Sequence, residues 1–116
     1  MENLKDFMLL FRMQPFNHKL AAEQPNSMQQ QWSIFNGGIA AQAKLVSTNR
    51  LGYEGNLINK GMNVSTAVSI SGHETISGYM VVKATTLKEA TEIAKGCPVL
   101  AIEGSVEVRN IIPFES

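Results

Sequence analysis

Two stretches of the chain are apolar without a break. Phe7-Met8-Leu9-Leu10-Phe11 ends in Arg12, and Tyr79-Met80-Val81-Val82 follows Ser77-Gly78. Short apolar runs with no polar alternation read as strands covered on both faces. After the second run, Thr86 and Glu89 form a Thr-x-x-Glu capping box, a helix-start signature. Leu87, Ala90, Ile93, Ala94 and Cys97 then fall on one side at helical spacing, with Lys88, Glu92 and Lys95 on the other. Gly96 offers a left-handed C-terminal position, and Pro98 prevents continuation.

A second helical face is marked by Met28, Trp32, Phe35, Ile39 and Val46, with Ala43 among them. It starts at Asn26 or Ser27, where Ser27-x-x-Gln30 makes another capping box. Gly37-Gly38 lies inside this pattern at a cost of roughly 1 kcal/mol per glycine against alanine. The pair reads as a close approach to a sheet or as a kink. Between the first strand and this helix, Met13 to Pro25 is a long loop of the kind that often binds ligands. Turn signals fill Asn49 to Ser65, with a short strand at Leu57 and Ile58. Ala67 to Ser71 alternates as a strand with one wet face. Gly72-His73-Glu74 turns into the strand around Tyr79. Ser105 to Ile112 sets Val106 and Val108 against Glu107 and Arg109, a last, more exposed strand closed by Pro113.

The order is strand, helix, strand, strand, helix, strand, which is the split βαβ, or ferredoxin-like, α+β arrangement with a four-stranded antiparallel sheet. Right-handed crossovers put both helices on one face. The first and third strands are then central, and they are the two most apolar. Met8 and Leu10 alternate with Phe7, Leu9 and Phe11, and Tyr79 and Val81 with Met80 and Val82. One set in each strand is left on the face without helices, as a patch that soluble monomers rarely expose. A second copy is the expected cover, giving an isologous homodimer, a dimeric α+β barrel.

A chain of 116 residues fits one domain, 1–116. Ten basic and ten acidic side chains balance, with no basic stripe, which argues against a nucleic-acid surface. No apolar run is long enough to span a bilayer. The single cysteine cannot form an internal disulfide, and no secretory leader is visible, so a cytoplasmic setting is the expectation. In that setting the acceptor pattern Asn63-Val64-Ser65 carries no meaning.

Four segments resemble the YCII-related (DGPF-domain) proteins. They are Phe7 to Arg12, Ser77 to Val82, Leu87 to Pro98 with its Ala-Lys-Gly-Cys-Pro ending, and Gly104-Ser105-Val106-Glu107-Val108-Arg109. The resemblance runs from about Lys5 to Ile112. It implies a ferredoxin-like dimeric α+β barrel and a largely uncharacterised group, with a suspected enzymatic pocket in some members. Where the family carries Asp-Gly-Pro-Phe, this chain has Thr66-Ala67-Val68-Ser69, so the aspartate suspected of acid–base work is missing. Asn110 stands where a proline often follows Val-Glu-Val-Arg.

Candidate chemistry is sparse. His18, in the long loop, is the natural acid–base group near neutral pH; an exposed loop histidine is the plainer reading. His73 beside Glu74 reads first as a solvated turn. Arg12 ends a central strand, where it could clamp a carboxylate or pair with Glu107 or another acid. Arg109 faces away from the two valines, as an anion contact or as an edge-strand charge. Trp32 and Tyr79 are apolar walls with polar tips, or simply core. Cys97 reads as a buried structural thiol. No metal-ligand spacing, phosphate loop or nucleophile elbow occurs, and no cofactor is implied.

Two functions follow. In the first, the protein binds a small anionic molecule, or is a cofactor-independent enzyme. Its pocket lies between the sheet, the first helix and the 13–25 loop, with His18 moving a proton and Arg12, Trp32, Tyr79 and Arg109 holding the ligand. In the second, it is a non-catalytic dimeric module, structural or regulatory, that has lost the family's acid.

Overall fold

The computed structural model describes residues 3–14, 25–52, 54–66, 70 and 74–113, with side chains of the first helix from residue 29 onward. Strand β1 (Lys5–Met13) alternates by burial: Phe7, Leu9, Phe11 and Met13 are buried, while Met8, Leu10 and Arg12 are half-buried. It lies at the centre of the sheet. Helix α1 (Pro25–Ala41), β2 (Leu45–Arg50), a hairpin of β3 (Leu57–Ile58) and β4 (Val64–Ser65), and β5 (Thr75–Ala84) follow. Helix α2 (Leu87–Ala94), a 3-10 helix at Pro98–Ile102 and β6 (Ser105–Asn110) complete the chain.

The sheet runs β2-β5-β1-β6 with every neighbour antiparallel, the ferredoxin-like α+β arrangement. The core lies on one face. Phe7, Leu9, Phe11, Met80 and Val82 meet Ile39 of α1 and Ala90 and Ala94 of α2, with Trp32, Phe35, Val106 and Val108 packed around them. The molecule measures 20 Å along its shortest axis. That is one sheet under one helical layer, since packed layers stand about 10 Å apart.

Four local features differ from the sequence expectation. First, α1 begins at Pro25, so Ser27 lies inside the helix and not at its start. Proline suits the first turn because its missing N–H would have no helical partner. Second, α1 ends well before Val46. The Lys44 N–H donates to the Ile39 carbonyl (3.2 Å) and the Ala43 N–H to the Ala40 carbonyl (2.9 Å). Ala43 is left-handed (φ 58°), which completes a Schellman stop. Val46 is instead the extra residue where the β2–β5 register shifts, and it is exposed.

Third, the sheet's second strand is β2. Ile70 has no regular structure, and 67–69 and 71–73 lie outside the described residues. Fourth, Gly96 is not left-handed. The turn after α2 tightens instead, with the Gly96 N–H donating to the Ile93 carbonyl and the Cys97 N–H to the Ala94 carbonyl.

The α2 cap is half as expected. The Thr86 side chain accepts from the Glu89 N–H at 3.1 Å. The Glu89 carboxylate, however, accepts from Thr85 Oγ1 (2.8 Å) and Lys44 Nζ (3.1 Å). Leu87, in the helix's first turn, is exposed. Gly37 and Gly38 mark no close approach: a Cβ on either would meet nothing within 4 Å.

One irregularity sets the functional face. Phe11 pairs with Gly78, but Arg12 pairs with Ile76, so Ser77 is an inserted residue, a β-bulge. The Ser77 hydroxyl donates to the Phe11 carbonyl (3.2 Å). The insertion reverses the alternation beyond it. Thr75 becomes buried, and Ile76 joins Tyr79, Val81 and Lys83 on the face away from the helices.

Candidate functional site

The face without helices carries an apolar band framed by charge. Across β1 and β5 it pairs Asp6 with Lys83, Met8 with Val81, Leu10 with Tyr79, and Arg12 with Ile76. Across β1 and β6 it pairs Met8 with Arg109, Leu10 with Glu107 and Arg12 with Ser105. Along this band Ile76 is exposed, Met8, Leu10 and Tyr79 are half-buried, and Val81 is buried.

At one end of the band, four charges form a chain. Arg12 Nε lies 3.7 Å from Glu74 Oε1, and Arg12 Nη1 lies 3.9 Å from Glu107 Oε1. Arg109 Nη1 lies 3.6 Å from Glu107 Oε2, and the Ser105 hydroxyl donates to Glu74 Oε1 at 2.7 Å. The ionic separations exceed hydrogen-bond length, so these contacts position charge and add little stability, about 0–1 kcal/mol each. Two arginines and two glutamates leave the chain neutral. The inner pair, Arg12 and Glu74, is half-buried; Arg109 is mostly exposed.

Tyr79 shares this face. Its hydroxyl accepts from Asn49 Nδ2 (2.8 Å), and its carbonyl accepts from Thr48 Oγ1 (3.0 Å). Trp32 lies on the other side of the sheet. Its ring meets Phe11 edge-on at 5.1 Å and Phe35 at 5.9 Å, in the core. The structure therefore brings Arg12, Tyr79 and Arg109 onto one surface and sets Trp32 apart from them. His18 and His73 lie outside the described residues, as do positions 67–69 of the Thr66–Ser69 segment.

Glu74, Ser105 and Asn49 join the face without having been singled out from sequence, except for Glu74 as a neighbour of His73. Only the register carries that information, because it sets Ser105 opposite Arg12 and Asn49 opposite Tyr79. Cys97 is buried, and burial pushes its thiol up to about 11, so it stays protonated near neutral pH. Among the described residues, no three acidic, histidine or cysteine side chains gather as a metal site would require.

The family model of the YCII-related domain matches residues 18–115. The chain belongs to the YCII-related family. Trp32, Tyr79 and Arg109 fall inside the matched stretch, while β1 and Arg12 precede it. No curated protein matches the chain. No helix among the described residues is long and apolar enough to cross a membrane.

Proposed function

We propose that this YCII-related protein is a non-catalytic homodimeric module, assembled sheet against sheet in the cytoplasm as an α+β barrel. The observation that carries this reading is the apolar band on the face away from the helices, where Ile76 is exposed and Met8, Leu10 and Tyr79 are only half-buried among the described residues. Covering apolar area is the main driving force for association. The missing acid at Thr66 supports it, as does the mutual neutralisation of Arg12, Glu74, Glu107 and Arg109: a site built for an anion leaves positive charge uncompensated.

A second reading keeps a small anionic ligand at the outer end of the charge chain. It is favoured by Arg109, mostly exposed and held to Glu107 only at 3.6 Å, so an incoming carboxylate can displace that contact. In this reading His18 is the acid–base group, and Arg12 and Tyr79 line the approach. Native mass spectrometry of the purified protein, compared with its denatured mass, separates the two. A dimer at twice the chain mass supports the module. Excess mass that vanishes on denaturation supports the ligand. A monomer at micromolar concentration removes the sheet-to-sheet assembly. If turnover of a ligand so identified is unchanged in His18→Gln, His18 is not the base.

A further inference from the structure

The hairpin β3–β4 is an arm whose apolar side chains are largely uncovered among the described residues. Leu57, Ile58, Met62 and Val64 are 39, 69, 86 and 57% exposed. The arm pairs with itself, Leu57 with Ser65 and Ile58 with Val64, and no other described helix or strand packs substantially against it. A two-stranded hairpin alone in water is marginal. Its turn adds to the cost: Gly61 is left-handed (φ 85°), and so is Met62 (φ 66°), a conformation disfavoured for any side chain with a Cβ. That strained position holds an unbranched, adaptable side chain of the kind that recurs at interaction surfaces. The Cα radius of gyration is 15.6 Å. A compact chain of about 100 residues has roughly 13 Å.

We propose that this arm docks on a second copy of the same chain, so that each protomer's Ile58, Met62 and Val64 are buried only in the dimer. The inference rests on the sheet-to-sheet dimer proposed above and names the element that closes it. Area and charge select this occupant. Ile58 and Val64 share one face of the hairpin and Met62 stands in its turn, an exposed apolar surface of a kind that monomers rarely enlarge beyond a few hundred Å². Two-fold symmetry counts each patch twice. A specific interface buries about 1,200–2,000 Å² in total, so the arms must add to what the half-buried bands of the two sheets provide. The chain's formal charge is zero, so identical copies do not repel. Glu54, just before the arm, and Lys60, in its turn, are exposed and of opposite sign.

The test is equilibrium sedimentation of the full chain, wild type against Ile58→Lys/Met62→Lys, with Asn59→Lys as a charge control. Wild type is expected to be a dimer. The double variant should raise the dimer dissociation constant at least about tenfold, and the control should leave it unchanged. Both substituted side chains are exposed in the protomer, so circular dichroism should match wild type. A wild-type dimer whose affinity the double variant leaves unchanged overturns the arm and leaves the dimer standing. A wild-type monomer overturns both. If wild type floats with phosphatidylcholine vesicles and the double variant does not, the patch belongs to a lipid surface, and the proposal falls.

Discussion

Gly104→Ala tests the seam that holds β6, and with it half of the charge chain, against β1. A Cβ at Gly104 would stand 2.6 Å from the Arg12 carbonyl oxygen, 2.6 Å from Val99 Cγ2 and 2.9 Å from the Val99 carbonyl oxygen. Ordinary contact begins near 3.4 Å, so the new methyl must retreat by about 0.8 Å. Little can give. Val99 is fully buried, its carbonyl accepts from the Gly104 N–H (3.0 Å), and Arg12 belongs to the central strand. Overpacking of this kind costs roughly 1–3 kcal/mol; two backbone atoms among the three clashes put the value near the top, about 3 kcal/mol. In a domain of this size that lowers Tm by roughly 10 °C or more. The retreat also draws Ser105 from Glu74.

The assay is thermal unfolding by circular dichroism, with Gly96→Ala alongside. At Gly96 a Cβ would meet the Phe35 ring at 3.5 and 3.6 Å, which is ordinary contact. Its Tm should stay within about 2 °C of wild type. Equal effects at the two glycines, or a Gly104→Ala Tm within that same margin, would refute the steric reasoning.

Ala43→Gly relieves the left-handed alanine of the Schellman stop and should stabilise the fold by about 1 kcal/mol in urea denaturation. Gly37→Ala and Gly38→Ala remove helix-interior glycines whose new methyls meet open space, and each should stabilise by roughly 0.5–1 kcal/mol in the same assay. The Glu89 carboxyl is held below its ordinary 4.5 because it accepts from Thr85 and Lys44. Its stabilisation is present above the unfolded carboxylate value and is lost as pH falls through the lower folded one. The Tm gap between wild type and Glu89→Gln should therefore close in acid. Cys97 behaves in the opposite sense, because burial raises its folded pKa from 9.0 to about 11. The Tm advantage over Cys97→Ala should be full below pH 9 and shrink toward 11, and alkylation of the folded protein at neutral pH should be slow.

The strongest sequence signals were those in which several local preferences agree. Thr86 caps α2, the face of Ala90 and Ala94 is buried, and the two continuous apolar runs are the central strands β1 and β5. The weak signals failed where the chain departs from common chemistry. The stop of α1 was hidden because an alanine occupies a position that glycine usually marks. With the stop hidden, the spacing places Val46 on the helical face, and β2, whose Ser47 to Arg50 are all polar, carries no apolar signal of an edge strand. Gly96 sent the opposite message, announcing a left-handed turn that the chain does not make.

By itself the sequence determined the fold class, both central strands, α2 and the Thr86 half of its cap, and the division of β1 into two apolar faces. Those follow from interactions between residues a few positions apart. The tertiary structure alone decided what the candidate residues can do together. Trp32 went to the core and Tyr79 to the opposite face. The inserted Ser77 turned Ile76 outward beside Arg12, and the β1–β6 register delivered Ser105 and Glu107 to Arg12. Each of these is a long-range pairing, and a one-residue slip in a strand moves its side chains to the other face. Local preference does not encode that choice; the packing of the whole sheet against its helices does.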